Sequence, residues 1–295
     1  MSHEKRSGAA LLRALGDLVQ ATRRFVEDQG FVLASALAYS FMLCLAPLAL
    51  LFSSGIGFLL ASEAIAGDVL GIATALLPAY NREVLDALAL LTRERKVTGL
   101  VGGAMLAVFA TQLFSIARRA LNVAFRVSKY RGVIHGFAVD LVALLTVGLL
   151  TLALAAATLI LLTLATVGQD GVAAPPMLRW ARQAARAPLY ATLLAVLFFA
   201  YRTFPNTGVS SRAALTAALA AGALWEVARW GFGAYLARFA PYGHLYGPFG
   251  VVVASLVWIY VSAAIFIWGG ELTALLTERA QGAERDAPPG RGDNG

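Results

Sequence analysis

The 295-residue chain is apolar at 59% of its positions and charged at only 14%, with a mean hydropathy of +0.71. So few charges cannot cover the surface of a soluble domain of this size, whereas the lipid-facing surface of a membrane bundle needs none. The single cysteine excludes an internal disulfide framework. The net charge of +7 comes from basic residues between apolar runs, which favours anionic headgroups over nucleic acid. The sequence predicts an all-α integral membrane protein.

The first periodic stretch is an amphipathic helix over residues 11–28. At the helical period its apolar side chains fall within about 140° of arc, opposite its charged side chains. Residues 1–28 carry charges throughout, so this segment is not expected to be a signal peptide. Such a helix either lies on the bilayer surface or packs against the cytoplasmic end of a bundle, and both alternatives stay open. Its apolar side consists of Leu11, Leu12, Leu15, Leu18, Val19, Phe25 and Val26.

Six apolar segments follow the amphipathic helix. Each reaches about the 17–25 residues that a helix needs to cross the hydrocarbon core of a bilayer. We therefore predict a polytopic bundle of six transmembrane helices over residues 31–277, with a kink at Pro47 in the first helix. The predicted helices are Phe31–Leu60, Thr98–Ile116, Val133–Val167, Ala187–Phe204, Ala213–Leu236 and Gly247–Leu276.

Three further segments complete the predicted organisation. Residues 1–30 form a cytoplasmic N-terminal segment that contains the amphipathic helix. Residues 278–295 are rich in glycine, proline and charge and are predicted to be a disordered cytoplasmic tail. The long connection over residues 61–97 is predicted to contain a short external helix, because four apolar residues share one helical face there. They are Val84, Leu85, Leu88 and Leu91.

The distribution of basic residues predicts the orientation. With the N-terminus inside, 15 of the 24 Lys and Arg residues fall in cytoplasmic segments and 8 in external ones, while Arg229 lies within the fifth helix. Cytoplasmic segments of membrane proteins carry such an excess. Both termini are therefore predicted to be cytoplasmic. Arg93, Arg95 and Lys96, beside the second helix, argue the other way.

Charged residues at membrane depth are candidates for function, because each costs about 2.5–3.5 kcal/mol to insert. Glu226 and Arg229, three residues apart in the fifth helix, are predicted to form an ion pair that faces the protein interior. Glu271, near the cytoplasmic end of the sixth helix, either accepts hydrogen bonds from another helix or a basic residue, or contacts water. Asp140 is predicted to lie just inside the cytoplasmic leaflet. Each is interpreted either as part of a substrate or ion pathway or as a structural charge.

Sequence motifs for catalysis are missing. The chain lacks a glycine-rich phosphate loop with lysine, a His-Glu-x-x-His pair and a Gly-x-Ser-x-Gly turn, and its three histidines are far apart. We therefore predict no catalytic residue, no metal site and no cofactor, and we do not expect an enzyme. Five other residues are interpreted as structural polar contacts: Asn122, Tyr201, Arg202, Trp225 and Tyr260.

Several short motifs carry a family resemblance by their order and spacing over residues 20–277. They are Ala34–Ser40 with Leu45–Leu48, Arg119–Asn122, Tyr201-Arg202 with Phe204–Asn206, and a last run of Leu224–Glu226, Phe232, Tyr235, Tyr246-Gly247, Trp258–Tyr260 and Gly270–Leu272. With these motifs the chain resembles the YihY/BrkB family of bacterial inner-membrane proteins. It departs from the family at Ser40, often a tyrosine there, and at Gly270, more commonly an alanine. The resemblance implies six helices and an inner-membrane location. One label given to the family is ribonuclease. The sequence does not support this label, because it lacks the acid–base and metal-binding groups that a ribonuclease needs.

Two functions follow from this sequence. The first is a transporter or lipid-handling protein without its own ATP site, with membrane lipids, in particular anionic ones, as partners. The alternative is a non-transporting membrane scaffold or envelope-organisation protein. A polar cavity that reaches Glu226 or Glu271 favours transport, whereas a dry, close-packed interior favours the scaffold. Nucleic acid is not expected as a partner, and association of several copies is left open.

Overall fold

A computed structural model describes residues 2–59, 81–127, 146, 148–149, 187–239 and 243–285. These residues form α-helices joined by turns, with no strand among them, so the predicted all-α class is confirmed. The predicted third transmembrane segment, Val133–Val167, lies almost entirely outside the described residues. The helices are α1 (Ser2–Glu27), α2 (Gly30–Leu59), α3 (Asn81–Ala124), α4 (Ala187–Thr203), α5 (Ser211–Phe239) and α6 (Gly243–Arg285).

Three of the described helices are long and apolar enough to cross a membrane. The qualifying stretches are Gly30–Gly55 in α2, Arg93–Ala124 in α3 and Val252–Gly282 in α6. Helix α4 contributes a shorter apolar stretch, Tyr190–Thr203. Helix α5 is not among the three, because charged residues interrupt its apolar sequence. The described helices are therefore those of a membrane protein.

The chain turns between α1 and α2 at Asp28 and Gln29. Gln29 adopts the left-handed backbone conformation, with φ of 56°, which ends α1 and lets α2 begin directly afterwards. A Cβ atom on Gly30 would collide with the ring of Phe25, so this position requires glycine. That ring also packs edge-on against Phe31, with ring centroids 4.9 Å apart. The corner between the amphipathic helix and the first span is thus fixed by close packing.

Residues 39–113 form the smaller of two compact units of the chain. Here the later turns of α2 pack against the earlier turns of α3. Ser54 Oγ donates a hydrogen bond of 2.6 Å to the backbone carbonyl of Arg95. A Cβ atom on Gly102 would lie 2.9 Å from Leu50 Cβ, so the helices approach closely because this position has no side chain.

The larger unit consists of residues 1–38 and 114–295, and α6 is its central helix, packed against α1, α4 and α5. Tyr201 on α4 is fully buried, and its hydroxyl donates a hydrogen bond of 2.9 Å to the backbone carbonyl of Phe266. A Cβ atom on Gly269 would collide with the Tyr201 hydroxyl. Small residues thus allow the helices around α6 to approach closely.

Helix boundaries differ from the predictions in three places. Helix α1 begins at Ser2, well before the predicted residue 11. Helix α3 is continuous over Asn81–Ala124, so the separate short external helix was wrong, and that segment forms the first turns of the helix with the second span. Helix α6 continues to Arg285, so residues 278–285 are helical and not part of a disordered tail. Alanine, glutamate and arginine, which favour helix, occur in all three added segments.

Candidate functional site

Glu271 on α6 is buried, with 1% of its surface exposed. Its Oε2 atom has no hydrogen-bond partner among the residues that the structure describes. The alternative in which Glu271 is a carboxylate in contact with water is therefore wrong. A buried carboxylate with incomplete hydrogen bonding costs on the order of several kcal/mol, so the fold retains this group against its own stability.

Four charged residues act electrostatically on Glu271. Arg24 on α1 and Arg126 just after α3 attract it, whereas Asp28 at the α1–α2 corner and Glu278 on α6 repel it. The Oδ2 atom of Asp28 is also buried, and it has no hydrogen-bond partner within the described ranges. We call these five residues the charge cluster. Its acidic groups outnumber its basic groups, so the cluster can take up a proton or a cation without creating a net positive charge.

Arg24 ties α1 to α6. Its guanidinium donates hydrogen bonds of 3.0 and 2.7 Å to the two carboxylate oxygens of Glu278, and 13% of its side chain is exposed. The hydrogen bond to Glu278 raises the pKa of Arg24 above its usual range, so the guanidinium stays charged. Further contacts between the two helices join Arg279 with Asp17 and Gln20, and Trp268 with Thr22.

A cavity of about 600 Å³ lies beside the charge cluster, between α1 and the residues that follow α3. Arg24 and Arg126 line it, whereas Glu271 does not. Arg126 adopts the left-handed backbone conformation, with φ of 52°, and the amide of Val127 closes the end of α3 with a hydrogen bond of 3.0 Å to the carbonyl of Asn122. The cavity is lined by Leu15, Gly16, Val19, Gln20, Arg23, Arg24, Glu27 and Arg126.

Glu226 and Arg229 form the ion pair that their spacing predicts, but outside the cavity. Arg229 Nε donates a hydrogen bond of 2.7 Å to Glu226 Oε2, and Arg229 Nη2 lies 3.5 Å from the hydroxyl of Tyr190. The side chain of Arg229 is 52% exposed and that of Glu226 is 34% exposed. The prediction that both face the protein interior was therefore wrong. Neither is among the charges that act on Glu271, and Asp140 lies outside the described residues.

The residues interpreted as structural polar contacts lie mainly between helices. Asn122 Oδ1 accepts a hydrogen bond of 2.8 Å from the backbone amide of Asn206. Trp225 Nε1 donates one of 3.1 Å to Ser262 Oγ. Arg202 donates to the backbone carbonyl of Val209 in the turn after α4 and does not need a lipid headgroup for this bond. Tyr201 bonds to the α6 backbone as described above, and Tyr260 is half-buried on α6.

Sequence reasoning singled out Glu271 but missed its neighbours. Arg24 entered as a charge on the polar side of the amphipathic helix and in the count of cytoplasmic charges, Arg126 entered only that count, and Asp28 was not considered at all. A signal existed for Asp28, because Asp28-Gln29-Gly30 is a turn sequence directly before an apolar run. No local signal joins Arg24 to Glu278, since the two lie 254 positions apart.

Comparison with known proteins identifies the family. The sequence profile of the family described as Virulence factor BrkB matches residues 21–293, most of the chain. The chain belongs to this family. The match begins within α1 and includes Arg24, Asp28, Arg126, Glu271 and Glu278, so the whole charge cluster lies inside the family's region of the chain.

Relatives of this BrkB-family chain include proteins named as membrane proteins and one named as ribonuclease-like. A UPF0761 membrane protein of Chromohalobacter salexigens is 30% identical over 274 residues, which cover 91% of this chain but only 64% of that protein. A UPF0761 membrane protein of Aliivibrio salmonicida is 30% identical over 266 residues, 88% of this chain and 82% of that protein. A ribonuclease-like protein of Bacillus subtilis, YfkH, is 27% identical over a match that covers 87% of this chain and 93% of that protein. No solved structure matches the chain.

Proposed function

We propose that this BrkB-family protein is a multi-pass protein of the bacterial inner membrane that binds and translocates an anionic amphiphile. In this proposal it has six transmembrane helices and both termini in the cytoplasm. Three apolar spans and the excess of basic residues in the segments assigned to the cytoplasm support this arrangement. The protein performs no enzymatic step and has no ATP site, in keeping with the sequence, so movement depends on a gradient or on facilitated passage.

The observation that carries the proposal is Glu271, a buried carboxylate in a membrane helix with one oxygen that has no hydrogen-bond partner among the described residues. A protein that only needs packing is more stable with an uncharged residue at such a place. Ionisable residues at membrane depth are retained where ions or substrates pass. Glu271 therefore supports a role in which its charge changes during function.

The charge cluster suggests how this change occurs. Arg24 and Arg126 attract Glu271 and also line the cavity. An anionic headgroup in the cavity partly neutralises these two positive charges and so weakens their attraction for Glu271, while Arg24 keeps its hydrogen bonds to Glu278. Glu271, relieved of its positive partners and close to Asp28, then takes up a proton. Anion binding and proton binding are thus coupled through two shared arginines.

The experiment that tests this function replaces the charge of Glu271 and keeps its shape. Glu271→Gln retains size and hydrogen-bonding capacity, so the variant is expected to insert and to melt in detergent at or above the wild-type temperature. In a strain that lacks the protein and is first screened for an envelope phenotype, the wild type is expected to rescue that phenotype and the variant is expected not to. Glu226→Gln is the matched control, because it makes the same change on the exposed pair, and full rescue is expected. Full rescue by Glu271→Gln at wild-type stability contradicts the proposal.

One observation favours the scaffold as a second candidate. Glu271 does not line the cavity, and Cβ atoms on the adjacent Gly269 and Gly270 would collide with Tyr201 and Leu121. Close packing of this kind is what a non-transporting scaffold needs. The scaffold requires Glu271→Gln either to leave rescue intact or to lose rescue and thermal stability together, whereas the proposed function requires rescue to be lost alone.

A further inference from the structure

Helix α1 directs its most apolar side away from the protein. Leu12, Leu15, Val19 and Val26 are between 51% and 72% exposed, and at the helical period they fall on one side of α1. The opposite side packs inward, where Ala21 and Phe25 are at most 5% exposed, and α1 contacts α6 there. We call the four exposed residues the apolar strip. The two alternatives for this helix therefore both apply, one to each side. The buried side of α1 contacts the bundle, and the exposed apolar side is suited to contact with the bilayer.

The position of α1 in the chain places the apolar strip at a membrane surface. Helix α1 ends at the Asp28–Gln29 corner, and the apolar span over Gly30–Gly55 begins directly after it. A helix joined by so short a corner to a membrane span lies near the interface where that span begins. Exposed leucine and valine side chains at this depth contact acyl chains.

The cavity beside the strip combines apolar and basic chemistry. It shares Leu15 and Val19 with the apolar strip. Its remaining lining includes three guanidinium groups, from Arg23, Arg24 and Arg126, against one carboxylate. The side chain of Arg23 is 79% exposed, so it is accessible to a ligand in addition to Glu27, its partner on α1. A volume of about 600 Å³ is within the range of small-molecule sites.

From these contacts we propose that the cavity binds the phosphate-bearing headgroup of an anionic membrane phospholipid, while an acyl chain of the same lipid lies along the apolar strip. Arg126 is the principal headgroup residue. Its left-handed backbone conformation is one that glycine adopts readily at a helix end and arginine rarely does. Since the ends of the Arg24 guanidinium are bonded to Glu278, Arg126 and Arg23 supply the donors for the headgroup.

Two variants test the site in the full-length protein. Arg126→Gln removes a charge from the cavity, and Gly16→Leu fills it, since a Cβ atom on Gly16 meets nothing within 4 Å. Gly231→Leu is the matched control, because Gly231 on α5 is equally open and does not line the cavity. Each protein is equilibrated in mixed micelles with equal amounts of phosphatidylglycerol and phosphatidylcholine, and the lipid that copurifies is quantified.

Wild type and Gly231→Leu are expected to retain phosphatidylglycerol over phosphatidylcholine. Arg126→Gln is expected to lower that preference about tenfold, as for loss of a charge-assisted contact, and Gly16→Leu to abolish it. Equal retention by all four proteins overturns the site. Inorganic phosphate in excess is the second arm. If phosphate displaces the lipid, the claim that the acyl chain contributes to binding is overturned. If the protein retains the lipid in excess phosphate, that claim is supported.

The lipid site rests on the proposed function in one respect: both take the ligand to be an anionic amphiphile. Retention of lipid by purified protein measures binding and needs neither movement nor an envelope phenotype. Selective retention together with full rescue by Glu271→Gln contradicts translocation and supports the site. Loss of rescue by Glu271→Gln without selective retention in the wild type contradicts the site and supports translocation.

Discussion

Two Glu–Arg pairs of this protein have similar chemistry and different surroundings. On α5, Arg229 and Glu226 satisfy each other within one helix, and the Arg229 side chain is 52% exposed. Between α1 and α6, Arg24 joins Glu278 across helices, and its side chain is 13% exposed. Within the described residues, the second pair lies near another buried carboxylate, that of Glu271, and leaves one of its oxygens without a hydrogen bond.

The difference shows that charge at membrane depth does not by itself identify a site. The α5 pair neutralises itself locally and leaves no unbonded buried atom in the described structure, whereas the charge cluster contains two unbonded carboxylate oxygens, one from Asp28 and one from Glu271. Exposed ion pairs contribute little to stability, and a buried pair that loses one partner leaves an uncompensated charge. The two pairs should therefore respond differently to the same substitution.

The largest difference is expected when each arginine is removed. Arg24→Ala removes the partner of Glu278, one of the positive charges that act on Glu271 and one of the contacts between α1 and α6, so we expect a loss of about 1–3 kcal/mol of stability. Arg229→Ala removes a half-exposed side chain and should lower stability much less. Thermal melts of both variants in the same detergent measure this. Equal shifts in melting temperature contradict the contrast between the two pairs.

A smaller effect is expected in the coupling energies of the two pairs. Double-mutant cycles with alanine at Glu226 and Arg229, and at Arg24 and Glu278, isolate each interaction from the rest of its surroundings. The α5 cycle should give the weaker coupling, because exposed ion pairs contribute little and the side chains of this pair are one third to one half exposed. A stronger coupling on α5 than between α1 and α6 means that the exposed pair is sheltered in the membrane.

The sequence predicts the local features of this fold well. Apolar runs indicate the spans in α2, α3 and α6, and the spacing of Glu226 and Arg229 predicts their pairing. The run Arg93–Lys96 was interpreted as part of an external connection, but arginine, glutamate and lysine favour helix and α3 passes through it. The charged residues limit the apolar segment at this point, but the helix continues through them.

The candidate site was predictable only in part. Glu271 was selected for its depth in the sixth predicted helix, which composition reveals. The charges that act on it depend on Arg24 and Asp28, which lie on α1 and at its end, and α1 packs against α6. Periodicity reports which side of a helix a residue occupies, but not which distant helix covers that side. For the same reason, the sequence does not distinguish Arg126 from the other basic residues of its predicted cytoplasmic segment.

In the proposed function, the protein moves an anionic lipid across the bilayer and needs Glu271 to do so. Reconstituted vesicles test this most directly. Vesicles contain phosphatidylglycerol with a fluorescent headgroup-labelled analogue, a proton gradient is imposed, and a membrane-impermeant reductant quenches the label in the outer leaflet. With the wild-type protein, label from the inner leaflet should also become accessible to the reductant, whereas vesicles with Glu271→Gln should behave like protein-free vesicles. Inner-leaflet label that stays protected with wild-type protein, or that is lost equally with Glu271→Gln, contradicts the claim.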